Sequence, residues 1–248
     1  MKERRCVDFS YTIETFRNED WDGKGTLEDM KHLFLIRHGR QCSKRCNVDV
    51  SLDGTGRKQA ELLGGRLRSY GIEKLYSSEL VRARETAQIV QKIISVPHEI
   101  LPDIQEIDFG GFTGKTDEEI RTQYAEFCAQ RFLHQDDLSY PEGGECGADV
   151  AARAMPQLQK LCRQKENRIA IVTHGGVIRS VCASIIQTEQ KHKLKFAVDM
   201  ENTSITHLIF DEEREIFFLE RFNDFAHLEG HEELLRKNWK TSLEKRVK

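Results

Sequence analysis

Apolar and polar positions along the chain alternate between two periods. Leu33-Phe34-Leu35-Ile36 is a continuous apolar run that stops at Arg37-His38-Gly39, and Ile169-Ala170-Ile171-Val172 repeats the design up to Thr173-His174-Gly175-Gly176. Short apolar runs bounded by glycine turns read as strands buried in a parallel sheet. Residues 74–76 and 99–101 supply two shorter strands. Between the strands the apolar positions recur at helical spacing. Leu62, Leu63 and Leu67 follow a turn at 53–56 and end at Gly71; Leu80, Ala83, Ala87, Val90 and Ile94 follow Ser77 and Ser78, two candidate hydroxyl caps, and end before Pro97. Further helical patterns cover 117–132, 146–164 despite Pro156, and the residues after Gly175. Residues 204–210 and 215–221 read as an antiparallel hairpin, and a mostly polar helical tail starts at Glu232. Between these units, Phe109 and Phe112 read as exposed aromatics of a glycine-rich loop.

Strands alternating with helices predict an α/β three-layer sandwich, with a mostly parallel sheet, helices on both faces and one antiparallel edge strand. Nothing resembling a repeat or linker splits residues 31–248, so they are expected to form one catalytic domain with a short helical C-terminal tail. Residues 1–30 stand apart. Val7, Phe9, Tyr11 and Ile13 alternate with polar neighbours as in a half-buried strand, and the charged stretch behind them suggests an extension packed on the domain edge.

Composition narrows the function classes. A net charge of -3 over 248 residues gives no global pull toward nucleic acid or an anionic membrane. No apolar run approaches the roughly 18 residues of a spanning helix, and the first thirty residues are too charged for a secretory signal. The seven cysteines form no Cys-x-x-Cys pair and read as free thiols of a reducing compartment. A cytoplasmic protein with no bound metal, no nucleic-acid partner and no membrane partner is expected. Cys42 and Cys46 lie close together, but no second pair accompanies them, so they read as loop residues.

Candidate chemistry collects where the strands end, because ligands of open α/β sheets sit outside the carboxyl ends of the strands. The first strand delivers Arg37 and His38, the second Ser77, Ser78 and Arg82, the third leads to Glu106, and the fourth delivers His174. Two imidazoles, two guanidiniums and a carboxylate at one sheet edge suit phosphoryl transfer: fixed cations for the spread charge, a nucleophile, and an acid for the leaving oxygen. The glycine after each histidine admits backbone N–H groups to an anion, and a helix starting at Gly175 adds its positive end. Taken singly, each residue also has a plain structural reading: His38 as a satisfied strand-end imidazole, Arg82 as an ion-pair partner of Glu79 or Glu85, and Glu106 as a solvated loop carboxylate.

The motifs carry a family resemblance. Arg37-His38-Gly39, Ser78-x-Leu80-x-Arg82-Ala83-x-x-Thr86-Ala87, Glu106-x-x-Phe109-Gly110, Pro141-x-Gly143-Gly144-Glu145, His174-Gly175-Gly176, Asn202-x-Ser204-Ile205-Thr206 and Asn223-Asp224-x-x-His227-Leu228 follow one another as in the histidine phosphatase superfamily, in its phosphoglycerate mutase-like branch 1. The resemblance implies that His38 becomes a phosphohistidine, that Arg37, Arg82 and His174 hold the phosphate beside Gly175, and that Glu106 protonates the leaving alcohol, with no cofactor. It implies a phosphatase acting on a small phosphorylated metabolite. The alternatives are a cofactor-dependent phosphoglycerate mutase, which the short segment between Glu106 and Pro141 disfavours, and a phosphate-binding regulatory module without turnover. Gln41 and Lys44 depart from the Thr or Ser and the Asn that many members carry three and six positions after the nucleophile. With Arg40 and Arg45 they form a basic loop, in which Lys44 is expected to bind a second phosphate or a carboxylate of the substrate.

Overall fold

The computed structural model describes residues 30–133 and 135–236. The alternating stretch from Val7 to Ile13 lies outside them, as does most of the expected helical tail, of which Glu232–Leu234 forms a single 3-10 turn. Within the described residues six strands make one sheet: β1 (Lys31–Arg37), β2 (Lys74–Ser77), β3 (His98–Ile100), β4 (Arg168–Thr173), β5 (Ile205–Asp211) and β6 (Ile216–Asp224), in the order β3-β2-β4-β1-β5-β6. β3, β2, β4 and β1 pair in parallel. β5 is antiparallel to both of its neighbours, β1 and β6. The reversed strand is therefore β5, one place in from the edge, and β6 returns to the direction of the parallel set.

The period of two decides which side chains face which layer. Leu33 and Leu35 of β1 join Ile169 and Ile171 of β4 beneath α5 (Gly147–Cys162) and α6 (Gly175–Ile185). Phe34, Ile36, Ala170 and Val172 point the other way, against α1 (Gly54–Leu67) and α2 (Val81–Ile94). Leu33 and Ile36 are fully buried, each contributing about 1.5–3 kcal/mol of transfer free energy. Both faces are covered, so a continuous apolar run is what such a strand requires, and the polar residues Arg37 and His38 mark where cover ends. Helix α1 opens as the turn predicts, with the Asp53 carboxylate accepting from Gly56 N at 2.7 Å. After a 3-10 turn the chain leaves through Gly71 in the left-handed region.

Three local expectations give way to tertiary contacts. The 117–132 pattern breaks at Tyr124 into α3 (Asp117–Gln123) and α4 (Ala125–Phe132). The Tyr124 hydroxyl donates to the Glu142 carboxylate at 2.6 Å with Gly111 O at 3.1 Å, and its ring lies 4.9 Å from that of Phe112. Phe112 is buried among Tyr124, Phe127 and Tyr140 instead of being exposed. Ser77 and Ser78 do not cap α2. Asp49 takes Val81 N at 2.7 Å, while the Ser77 hydroxyl meets His98 and the Ser78 hydroxyl meets His174.

Candidate active site

The backbone at Arg37 and His38 is held on both sides, which fixes where the two side chains go. His38 N donates to Thr173 O at 3.0 Å at the end of β4, and Arg37 N donates to Ser204 O at 3.1 Å. Asn202 Nδ2 donates to His38 O at 2.9 Å. The segment around residue 202 is itself anchored: Asn223 Oδ1 accepts from Glu201 N at 2.9 Å, His227 Nε2 meets Thr203 Oγ1 at 3.0 Å, and Arg66 pairs with Asp224. The paired motifs at 202–206 and 223–228 are thus one brace beneath the imidazole. Gly39 N donates to Thr86 Oγ1 at 3.0 Å, and a Cβ on Gly39 would lie 2.7 Å from Gly56 O, so only glycine lets the chain turn here against α1.

His38 is 4% exposed. Its Nδ1 lies 2.7 Å from Gly39 O, and a carbonyl can only accept, so Nδ1 carries the proton and Nε2 keeps its lone pair. Arg82 Nε donates to that Nε2 at 3.3 Å. The other arms of Arg82 donate to Val48 O at 3.2 Å and to Asn47 Oδ1 at 2.8 Å. His174, at the N-cap of α6, faces His38 with ring centroids 5.1 Å apart. Its Nε2 meets Ser78 Oγ at 2.6 Å, and its Nδ1 is buried without a partner. Arg37 donates Nη1 to Met200 O, and its Nε is likewise buried and unpartnered.

Electrostatics follow from this crowding. Burial, then Arg37 and Arg82, holds the His38 imidazole well below its usual pKa of 6.5. Burial, then His38 and Arg82, does the same to His174. Burial and the neighbouring Arg236 bring the Arg37 guanidinium down to about 9. Glu106 and Glu201 offset part of the positive charge on Arg37, but two orphaned N atoms beside a buried guanidinium pair still make a site that an anion relieves.

Glu106 stands across the opening. Its Oε1 accepts from Ile107 N at 3.0 Å and from Gly176 N at 2.9 Å, in the first turn of α6. A Cβ on Gly176 would lie 2.4 Å from that oxygen. The Pro141-x-Gly143-Gly144-Glu145 motif supports the same loop: Glu145 binds Arg153 at 2.7 and 2.9 Å, and Arg153 donates to the carbonyls of Asp103 and Glu106.

The structure thus brings together His38, Arg37, Arg82, His174 and Gly175, and sets Glu106 at a cleft of about 280 Å³. Lys44 is exposed and is not among the residues that line this cleft. The cations that do line it besides Arg37 are Arg131, Arg179, Lys193 and Arg236, none of which the motifs single out. Arg179 was accessible to pattern reading, since it lies four residues after Gly175 and so on the same face of α6. Arg131 and Arg236 carry no local signal.

Three comparisons with known proteins agree. The model of the histidine phosphatase superfamily (branch 1) matches residues 33–224. A metal-independent phosphoserine phosphatase of Arabidopsis thaliana is 29% identical over 228 residues, covering 87% of this chain and 91% of its own. A broad-specificity phosphatase of Saccharomyces cerevisiae is 29% identical over 211 residues, covering 79% of this chain and 86% of its own. Among solved structures, Bacillus stearothermophilus YhfR superposes with a TM-score of 0.72 at 31% identity, over 80% of this chain and 99% of that one.

Proposed function

We propose, for a chain that belongs to the histidine phosphatase superfamily (branch 1) and is a phosphoric monoester hydrolase, that His38 is the nucleophile in a metal-independent, two-step hydrolysis of a small phosphorylated metabolite. The observation that carries the reading is the fixed tautomer of His38: Nδ1–H on Gly39 O, and a lone pair at Nε2 in a pocket of guanidiniums. In the first step Nε2 attacks phosphorus, the N–P bond forms and the P–O bond to the alcohol breaks. The Glu106 carboxyl gives its proton to the leaving oxygen. Arg37 and Arg82 hold the equatorial oxygens through the charge redistribution, and the orphaned Arg37 Nε and His174 Nδ1 supply further donors. If Ser78 donates its O–H to His174 Nε2, Nδ1 is the protonated nitrogen and faces the phosphoryl group as a neutral donor.

In the second step water attacks phosphorus, the N–P bond breaks and returns its electron pair to Nε2, and the Glu106 carboxylate takes the proton from water. The depressed pKa of His38 is the property a nucleophile needs, because a protonated imidazole has no lone pair to give. Turnover of p-nitrophenyl phosphate in excess chelator tests the reading. Undiminished turnover that disappears in His38→Ala is expected. A requirement for added divalent metal, or activity that survives the loss of His38, would overturn it. Isomerisation of 3-phosphoglycerate with 2,3-bisphosphoglycerate, faster than phosphate release, would replace it by a mutase.

A further inference from the structure

Beyond the ring of His38, His174 and Arg82, three guanidiniums reach the cleft from separate elements: Arg131 near the end of α4, Arg179 in α6 and Arg236 after the last 3-10 turn. Arg179 is oriented by its own hydrogen bonds. Nε donates to Phe196 O at 3.0 Å and Nη2 to Ala197 O at 3.1 Å, which leaves Nη1 for the cleft. That Nη1 and the unpartnered Nε of Arg37 each lie 3.7 Å from the point where a Cβ on Gly175 would stand, so the two groups flank one gap.

Arg236 is placed next to them from the other side. Its backbone N–H sits on both carboxylate oxygens of Glu201, at 3.2 and 3.1 Å, and its Nη1 donates at 3.4 Å to Met200 O, the same carbonyl that accepts from Arg37. The backbone before it is tied down by Gln59 Nε2 on Leu234 O at 2.8 Å. Arg131 lies over the Tyr140 ring, 5.0 Å from its centroid. Lys193 is matched by Asp137, and Arg236 has Asp199 at 4.0 Å, but neither Arg131 nor Arg179 takes part in an ion pair among the described residues.

A phosphoryl group at His38 answers Arg37 and Arg82. It does not answer Arg131, Arg179 and Arg236, which face whatever carries the phosphate. Glu106 and Asp199 line the same cleft, but four guanidiniums against two carboxylates in a partly desolvated space leave positive charge that an anion would complete. We propose that Arg179, Arg236 and Arg131 form a second anion subsite, and that the substrate is a phosphomonoester whose short organic part bears a carboxylate. The proposal rests on the reading of His38 as the phosphate-accepting centre. A guanidinium fork matches a carboxylate with paired N–H donors, and a cleft of about 280 Å³ suits an organic part of a few carbons.

The test is equilibrium binding to His38→Ala, in which turnover does not intervene. The probes are 3-phosphoglycerate and sn-glycerol 3-phosphate, which share skeleton and phosphate and differ by a carboxylate in place of a hydroxymethyl group. The carboxylated probe is expected to bind at least about tenfold tighter. Adding Arg179→Gln or Arg236→Gln should bring the two affinities to within about threefold, while Arg214→Gln, in the turn after β5, should leave the gap as it was. Arg236, whose side chain is 40% exposed, tolerates the change to Gln and keeps the test open should Arg179→Gln fail to fold. Equal affinities in the parent, including no measurable binding of either probe, or a gap that persists when both arginines are replaced, would overturn the subsite. Such a result leaves the chemistry of His38 standing, because that is read from p-nitrophenyl phosphate, which has no carboxylate.

Discussion

Two basic clusters lie near His38, one in sequence and one in space. Arg40, Lys44 and Arg45 follow the nucleophile directly, yet the two arginines are engaged locally. Arg40 binds Asp53 at 2.6 Å and Thr55 at 2.6 Å, Arg45 binds Gly114 O at 2.7 Å and Glu119 at 3.5 Å, and Lys44 is exposed. Arg131, Arg179 and Arg236 are scattered over about a hundred positions and converge on one cleft, where, among the described residues, Arg131 and Arg179 meet no carboxylate within ion-pair distance. Charges close in sequence find nearby counter-charges and become structure. Charges brought together by the fold outnumber the carboxylates that the same backbone places beside them, and that is what makes a binding surface.

The comparison can be broken at several points. The largest effect belongs to neither cluster: His38→Ala should cut kcat/KM by at least about a thousandfold without altering the fold, measured by phosphate release and circular dichroism. Gly176→Ala comes next, since the new methyl group would stand 2.4 Å from Glu106 Oε1. Displacing that carboxylate should lower kcat by about tenfold to a hundredfold with KM little changed. Third, Arg179→Gln and Arg236→Gln should each raise KM for 3-phosphoglycerate by about tenfold, whereas the double variant Lys44→Ala with Arg45→Ala should move it by less than about twofold. A loop variant that outweighs the cleft variants would put the substrate's second anion at the loop instead of in the cleft.

A smaller effect is expected from pH. Burial lowers the pKa of His38 and His174, and brings His207 and His227 to about 4. The unfolded chain therefore binds protons that the folded chain refuses, so stability falls as pH drops below the ordinary histidine value of 6.5 and stops falling only below the folded values. Melting temperatures measured from pH 7 to pH 4 should decline over that window. The acid limb of kcat/KM, which reports the free enzyme, should likewise lie below pH 6.5; a limb above it would mean that His38 is not kept neutral by its pocket.

What the sequence made legible was the part written locally. The runs ending at Arg37-His38 and at Thr173-His174 announce strands that leave the covered layers, and the order of motifs announces the family. Contacts between distant segments were not legible. Ser78 reads as a helix cap by position, but His174 lies within reach only after β2 and β4 pair, and the hydroxyl goes there. Tyr124 breaks a helical pattern because Gly111 and Glu142 take its hydroxyl. Arg236 has no motif around it and enters the site through Glu201 and Gln59, at separations no periodicity spans.

The central claim is that the phosphoryl group passes through Nε2 of His38. Mixing the protein with labelled p-nitrophenyl phosphate, quenching in base within the first turnover and mapping the label by mass spectrometry tests it directly. A base-stable, acid-labile phosphoryl group on the peptide that contains His38, absent from His38→Ala, is predicted; label on any other residue, or rapid turnover with no labelled histidine at any quench time, would contradict it.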